Sequence, residues 1–299
     1  MRVLICGGNG QLGSELSRLI KEGKAEIGRI PDLYRDAELI RTDIAELDIT
    51  DARAVESFVA KGKFDLVINC AAMTNVDGCE EHEEAAYRIN AWAPENLALA
   101  TARSGTKIIH ISTDYVFSGD DPADRIEEDI PDPQSVYGRT KRAGELLVQK
   151  TNPRHFIVRT AWLYGYVGKN FVKTIIELAR NNGTIRVVDD QRGNPTSAND
   201  LAYEILKIAE TDNFGIYHCT NNGTCSWFEF ASTIVDMAGI PCEKIPCATA
   251  EFPRPAKRPT YSSLQNKRLE DTIGDEMRDW QTALANYLEN LPKLGDVPV

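Results

Sequence analysis

The stretch VLICGGNGQLGSEL, residues 3–16, decides the fold of this 299-residue chain. Four residues typical of a short buried strand run directly into a turn with glycines at positions 7, 8, 10 and 13. An amphipathic helix follows, with apolar side chains at Leu12, Leu16 and Leu19. A strand, a glycine turn and a helix in this order are typical of the first unit of a doubly wound parallel sheet.

The glycines satisfy two spacings at once. Gly7, Gly10 and Gly13 form G-x-x-G-x-x-G, and Gly8, Gly10 and Gly13 form G-x-G-x-x-G. Positions without a side chain let the backbone close on a pyrophosphate, which lies at the positive N-terminus of the helix. Because the flanking strand and helix are both present, the turn predicts a dinucleotide-binding site.

The acidic residue that would hold the ribose of such a cofactor is Asp43, at the end of the strand-like run AELIRTDI. A carboxylate there repels a 2′-phosphate and favours NAD, whereas the neighbouring Arg41 favours NADP. The sequence leaves this choice open. Asp48 and Ile49 resemble the Asp-plus-apolar pair that holds adenine in related folds.

Strands and helices alternate through the first half of the chain. Further strand-like runs are FDLVINC (64–70), TKIIHIS (106–112) and HFIVRTAWL (155–163), with helices starting near Asp51, running from about Glu83 to Arg103, and around Tyr137. We therefore expect an α/β fold with a doubly wound parallel sheet of the Rossmann type in residues 1–163. A smaller α/β lobe is expected in residues 164–299, the two being interleaved, with strands at 185–189 and 215–219 and helices at about 170–181, from Asn199, from Ser226 and around Trp280.

Composition excludes several classes of function. The net charge is −11 and we see no Lys/Arg-rich block, which argues against nucleic acid as a partner. No apolar run approaches the roughly 20 residues of a membrane span, and the N-terminus lacks the features of a signal peptide. Seven scattered cysteines without a C-x-x-C pair indicate reduced thiols and a cytoplasmic protein, and four scattered histidines make a zinc site unexpected.

Two further segments carry acid–base chemistry. The strand at 106–112 continues into ISTDYVFSG, and YGRTK follows in a helix. Tyr137 and Lys141, four positions apart, stack on one helix face, where an ammonium lowers the pKa of a phenol. Such a pair also occurs on solvated helix faces. With the Thr113 hydroxyl at a strand end to hold a carbonyl oxygen, however, the three groups indicate hydride transfer between a ketone and an alcohol.

These motifs, together with Asn69-Cys-Ala-Ala, Asn90 and Ser112, resemble the extended short-chain dehydrogenases/reductases. Over essentially the whole chain, the sequence resembles the dTDP-4-dehydrorhamnose reductase family in NCAAMTNVDGCE, ISTDYVFSG, RTAWLYG, VVDDQRGNPTSANDLA and RPTYSSL. The resemblance implies reduction, with NADPH or NADH, of the C4 ketone of dTDP-4-dehydro-6-deoxy-L-mannose to dTDP-L-rhamnose. Its catalytic residues would be Thr113, Tyr137 and Lys141, with Tyr137 as proton donor.

The resemblance also implies the remaining site residues. The cofactor would contact Gly7, Gly10, Gln11, Leu12, Gly13, Asp43, Asp48, Ile49, Ala71, Ala72, Thr74, Tyr137 and Lys141. The nucleotide sugar would contact Thr74, Tyr115, Trp162, Asn170 and Arg258. Structural alternatives exist for three residues: Trp162 as a core aromatic, Arg258 as a surface arginine, and Asn90 as a partner of buried backbone.

One position distinguishes ketone reduction from the elimination of water that related enzymes catalyse. Sugar-nucleotide 4,6-dehydratases resemble this chain but carry Thr-Asp-Glu where it has Thr113-Asp114-Tyr115, so simple ketone reduction fits better. The alternatives are another nucleotide-sugar reductase or epimerase, and a non-catalytic NADP-binding regulatory subunit, against which the intact trio counts. The resemblance allows a homodimer and Mg²⁺ at a dimer contact, with Glu15 as a candidate ligand. An exposed helix acid is the simpler interpretation of Glu15, and we assign no metal ligand.

Overall fold

The computed structural model describes residues 1–294 and confirms the doubly wound parallel sheet. The strands are β1 Arg2–Cys6, β2 Glu38–Thr42, β3 Leu66–Asn69, β4 Lys107–Thr113, β5 His155–Thr160, β6 Leu163–Tyr164, β7 Thr184–Val188, β8 Arg192–Gly193, β9 Thr196–Ser197, β10 Gly215–His218, β11 Cys225–Ser226 and β12 Glu243–Cys247. The α-helices are α1 Gln11–Glu22, α2 Ala52–Gly62, α3 Val76–Glu81, α4 Glu83–Tyr87, α5 Ala93–Ser104, α6 Val136–Thr151, α7 Phe171–Asn182, α8 Ala198–Glu210, α9 Trp227–Met237, α10 Lys267–Thr272 and α11 Trp280–Leu294.

The main sheet has six strands in the order β2-β1-β3-β4-β5-β10, all parallel. The chain reverses its direction across the sheet between β1 and β3, which is the position where ligands bind in open α/β sheets. Cys6 pairs in register with Asn69, and Thr113 pairs with Thr160. The glycine turn and the ends of β3 and β4 therefore meet at one edge of the sheet.

The side chains of β1 alternate between the two faces of the sheet, and helices cover both faces. Val3 and Ile5 pack into the core formed with α1 and α8. Leu4 and Cys6 point to the opposite face, into the core formed with α2, α5 and α6. A strand that buries both of its faces reads as a continuous apolar run, as VLIC does.

The second half of the chain contributes to the main sheet and also forms a core of its own. Helices α7, α9 and α11 pack around Phe230, Ile234 and Leu284 beside three two-stranded pairs, β6–β9, β7–β12 and β8–β11. Strand β10 and helix α8 come from the same half but belong to the main sheet and its core. The division of the chain into two lobes at residue 163 stays a proposal, and the two lobes are interleaved.

The helix expected from about Glu83 to Arg103 is interrupted. A π-helical turn, Arg88–Trp92, separates α4 from α5, and α3 precedes both. Pro94 lies in the first turn of α5 and has no N–H to donate to the Asn90 carbonyl one turn earlier. The Asn90 carbonyl lies against Gly144 of α6. A π-helical turn has one residue more than an α-helical turn, and this extra residue places the Asn90 side chain in the buried interior.

The strand expected at 155–163 is also shorter than predicted. β5 ends at Thr160, and Trp162 adopts a left-handed backbone conformation with φ 45°. Leu163 and Tyr164 then pair with β9 instead. Within residues 1–294, none of the helices combines the length and the apolar character of a membrane span.

Candidate active site

The glycine turn leaves a cradle for a phosphate at the start of α1. Gly7 has φ 73°, and a Cβ atom there would lie 2.7 Å from the Ala71 amide nitrogen. A Cβ atom at Gly13 would overlap the Gly7 carbonyl oxygen. Gly10 precedes α1 without any side-chain cap, so the first N–H groups of the helix are free to bind an anion. Gln11 opens α1 and Leu12 is buried in the core.

A cavity of about 340 Å³ adjoins this cradle. Its walls include most of the residues predicted to bind the cofactor, namely Gly7, Gly10, Asp43, Asp48, Ile49, Ala71 and Ala72. The Asp43 carboxylate accepts the backbone N–H groups of Asn9 at 3.3 Å and Ile44 at 2.9 Å. Hydrogen bonds from Thr50 lower the pKa of the Asp48 carboxyl, which keeps it ionised. These groups and the uncapped helix suit a dinucleotide.

Arg41 lies against the glycine turn, which orients its guanidinium. Its Nη2 donates to the Gly8 carbonyl at 2.8 Å and to Asn9 Oδ1 at 3.1 Å. A cation and the Asp43 carboxylate therefore flank the position expected for the ribose.

Two buried asparagines hold the loop after β3. Asn69 Oδ1 accepts the Ala71 N–H at 3.1 Å. Asn90 accepts the Met73 N–H at 2.8 Å and donates to the Met73 carbonyl at 3.1 Å and to Thr140 Oγ1 at 3.2 Å. The structural alternative for Asn90, a bond to buried backbone, is confirmed. Thr74, next in this loop, is exposed, and its contact with cofactor or substrate stays a prediction.

The predicted catalytic residues come together at the ends of β4 and α6. The Thr113 hydroxyl donates to Asp114 Oδ1 at 2.8 Å and accepts the Tyr115 N–H at 3.2 Å. Lys141 Nζ donates to the Ile111 carbonyl of β4 at 2.5 Å. A Cβ atom at Gly138 would overlap the Tyr115 carbonyl oxygen, so only glycine lets α6 approach this closely.

Burial controls the ionisation of these groups. It raises the pKa of the Tyr137 hydroxyl, an effect that a hydrogen bond with Thr113 opposes and Asp114 reinforces. Burial also lowers the pKa of Lys141 to about 8, against the effect of Glu145. Burial thus raises the pKa of the Tyr137 hydroxyl, whereas the sequence predicted that the Lys141 ammonium would lower it. The buried Asp114 carboxyl has its pKa raised to about 6 by burial, against hydrogen bonds with Ser262 and Thr113.

A second, larger cavity of about 900 Å³ reaches the catalytic residues through Tyr115. Tyr115 forms part of its wall and contacts the Tyr137 ring edge-on, with centroids 5.4 Å apart. Arg258 also lines it, and its Nη1 donates to the Tyr115 hydroxyl at 3.4 Å. Arg258 is therefore a cavity-lining residue and not only a surface arginine, and its contact with substrate stays a prediction.

Trp162 and Asn170 lie behind this cavity. The Trp162 ring stacks on Trp227, which lines the cavity, with centroids 3.5 Å apart. Asn170 is buried and caps α7 by accepting the Lys173 N–H at 3.1 Å, and its amide donates to the Gly165 carbonyl at 2.7 Å. These contacts give Asn170 a structural role, and substrate binding by either residue stays a prediction.

Glu15 is not the exposed acid that was expected. It is buried in α1, forms an ion pair with Arg18 at 2.5 Å and accepts a hydrogen bond from the Asn199 amide at 2.5 Å. Its oxygens are thus used in packing α1 against α8. Among residues 1–294, no cluster of three or more His, Cys, Asp or Glu side chains is arranged to hold a metal ion.

Sequence reasoning missed several residues around the larger cavity. They are Asp77, Phe171, Arg186, Trp227, Arg254 and Lys257. The basic run RPAKRP at 254–259 was a visible signal for three of the cations in this region. Asp77 and Trp227 carried no such signal, because their importance comes from contacts with distant segments.

Comparison with known proteins agrees with this geometry. The family model of the RmlD substrate binding domain matches residues 1–292. A solved dTDP-4-dehydrorhamnose reductase of Clostridium acetobutylicum is 48% identical with a TM-score of 0.92, covering 98% of this chain and 100% of that one. The Bacillus anthracis dTDP-4-dehydrorhamnose reductase, solved in complex with NADP, is 39% identical with a TM-score of 0.91, covering 97% and 99%. A probable dTDP-4,6-dihydroxy-2-methyloxan-3-one 4-ketoreductase of Streptomyces antibioticus is 39% identical, covering 95% and 93%.

Proposed function

The chain belongs to the RmlD substrate binding domain family, and we propose that it is an NADPH-dependent reductase of the C4 ketone of dTDP-4-dehydro-6-deoxy-L-mannose, forming dTDP-L-rhamnose. The observation that carries this proposal is the position of the catalytic residues. Tyr137 contacts Tyr115 in the wall of the larger cavity. Burial raises the pKa of the Cys70 thiol, in the wall of the cavity at the glycine turn, and Lys141 lies close enough to Cys70 to oppose this effect. A cofactor in one cavity and a nucleotide sugar in the other would meet at the catalytic residues.

The chain's own residues supply the proton chemistry. A reduced nicotinamide, when bound, would supply the hydride. Because burial raises its pKa, the Tyr137 hydroxyl is protonated at neutral pH and can donate its proton to the ketone oxygen. Lys141 retains most of its charge at neutral pH and would stabilise the resulting phenolate. Thr113 would hold the ketone oxygen beside Tyr137.

The glycine turn and Arg41 support NADPH as the cofactor. The cradle at Gly7, Gly10 and Gly13 would hold the pyrophosphate, and Asp48 with Ile49 would line the adenine position. Arg41 lies where its guanidinium would pair with a 2′-phosphate, and the relative from Bacillus anthracis was solved with NADP.

The basic wall of the larger cavity supports a nucleotide diphosphate as the substrate. Arg254, Lys257 and Arg258 line it together, although the chain as a whole carries a net charge of −11. A local cluster of cations against an acidic background favours an anionic ligand at that place. We assign Arg258 and Tyr115 to the substrate.

The reaction can be tested by following NADPH oxidation with the keto sugar nucleotide. Tyr137→Phe is expected to lower kcat by about 10²-fold or more, because it removes the proton donor, while the Kd of NADPH stays unchanged. Tyr203→Phe is the matched control, since Tyr203 lies on α8, its hydroxyl donates to Glu276 at 2.9 Å, and neither residue lines either cavity. Near-full activity of Tyr137→Phe would refute the mechanism. A wild-type protein that binds NADPH but oxidises it with no 4-keto sugar would support the regulatory alternative.

A second candidate substrate has a specific observation behind it. The relative from Streptomyces antibioticus is named for a different dTDP-linked ketone at similar identity. The same assay therefore includes several 4-keto sugar nucleotides, and the highest kcat/KM identifies the substrate. A homodimer also stays a proposal, which sedimentation of the purified protein tests.

A further inference from the structure

The cations of the larger cavity are already paired with carboxylates of the same chain. The ion pairs are Arg258–Asp77 at 2.9 Å, the longer Arg254–Asp77 at 3.9 Å, Lys257–Asp120 at 2.8 Å, and Arg186–Glu251. An anionic ligand entering this cavity therefore competes with resident carboxylates for the cations that would bind it.

The four pairs differ in their exposure to water, and the Arg254 side chain is 62% exposed. The side chains of Arg258 and Asp77 are 19% and 22% exposed, against 52% and 55% for Lys257 and Asp120. Arg186 and Glu251 are 49% and 44% exposed. Water and salt screen exposed pairs strongly and half-buried pairs much less. Asp77 is therefore the carboxylate that competes most strongly.

Asp77 also anchors the segment that carries these cations, residues 254–258, here called the basic strap. Its Oδ1 accepts the Ala256 N–H at 3.2 Å, and Arg254 Nη1 lies 3.9 Å from its Oδ2. From Asp77 the Arg258 guanidinium reaches the Tyr115 hydroxyl, next to Tyr137. The Asp77 carboxylate on α3 thus sets the position of Arg258 beside the catalytic residues and offsets the positive charge of its guanidinium.

We propose that Asp77 is a built-in competing anion, which holds Arg258 in the ligand-free protein and is replaced there by the diphosphate of the substrate. A diphosphate carries more charge than a carboxylate and offers several oxygens to the guanidinium fork, so the exchange is favourable. Because the Asp77 carboxylate has to be displaced, the net free energy of diphosphate binding is smaller than it would be at an unpaired arginine. Asp77 thereby limits the affinity for substrate and product. This inference rests on the proposed function, since it requires a nucleotide diphosphate as the ligand.

The test is calorimetric titration of the full-length protein with thymidine diphosphate. Asp77→Asn keeps the size of the side chain and an oxygen for the Ala256 N–H but removes the charge. We expect its Kd for thymidine diphosphate to fall about three- to tenfold at low salt, with a smaller gain at high salt. The Kd of NADPH should not change, because Asp77 does not line the cofactor cavity. A purely structural role would weaken binding or leave it unaltered.

Two further variants make the result decisive. Asp120→Asn, which releases the exposed Lys257 of the same strap, is expected to change the Kd less than twofold. Asp77→Ser, which also removes the charge and keeps a hydrogen-bonding oxygen, should reproduce the gain if Asp77→Asn folds poorly. Unchanged or weaker thymidine diphosphate binding by the charge-free variants, with normal NADPH binding, would overturn the inference. A wild-type protein that binds NADPH but not thymidine diphosphate would contradict the proposed function itself.

Discussion

At the scale of single residues, opposite charges meet where the cofactor is expected. Arg41 donates to the Gly8 carbonyl at 2.8 Å, while Asp43 accepts the Asn9 N–H at 3.3 Å. A ribose with two hydroxyls would gain from the carboxylate, and a 2′-phosphate would gain from the guanidinium. Arg41 is held against the glycine turn itself. We therefore expect cofactor preference to depend mainly on this one side chain.

Arg41→Met should raise the KM for NADPH about tenfold or more, because it removes a charge-assisted bond to the 2′-phosphate. The KM for NADH, which lacks that phosphate, should change much less. Steady-state kinetics with both cofactors measure the ratio, and Arg53→Met on the exposed face of α2 serves as the control. Equal increases for the two cofactors would show that Arg41 only supports the turn.

At the scale of elements, the site depends on how α5 and α6 approach each other. The π-helical turn before α5 directs the Asn90 amide to Met73, and so links the loop after β3 to the catalytic helix. The Asn90 carbonyl lies against Gly144 of α6 without room for a Cβ atom. The absence of a side chain at residue 144 therefore sets the distance between the two elements.

Gly144→Ala is expected to destabilise the protein by about 1–3 kcal/mol, because the added methyl group overlaps the Asn90 carbonyl. This sign is opposite to that of helix propensity, which by itself favours alanine by about 1 kcal/mol. Urea unfolding measures the difference. Gly28→Ala is the control, since its Cβ atom would meet nothing closer than 3.8 Å. A stabilised Gly144→Ala would show that α5 and α6 separate freely.

At the scale of the whole molecule, the two halves of the chain share one sheet. β10 pairs with β5, and α8 packs with α1 in the core on one face of the sheet. Tyr217 of β10 and Leu201 of α8 are fully buried there. Residues 1–163 alone would expose this surface to water, so the first half lacks part of its own core.

Equilibrium unfolding in urea is therefore expected to be a single transition, the same by far-UV circular dichroism and by tryptophan fluorescence. Trp162, Trp227 and Trp280 report on the core around α7, α9 and α11, and Trp92 is half-exposed in the first half. The helices of both halves contribute to the dichroism. A fragment of residues 1–163 should not fold, because it lacks β10 and α8. Two separate transitions, or a folded fragment, would contradict this interleaving.

Features that depend on neighbouring residues along the chain could be predicted before the structure was known. The strand–glycine–helix unit, the Thr113 strand end and the Tyr137–Lys141 helix were predicted correctly, because period, turn chemistry and helix spacing are local properties. Only the tertiary structure shows the burial of Glu15, the π-helical turn at Arg88–Trp92, the raised pKa of Tyr137 and the pairing of Asp77 with Arg258. Each of these depends on a partner or a degree of burial set by segments distant in sequence, and packing rather than local pattern brings those segments together.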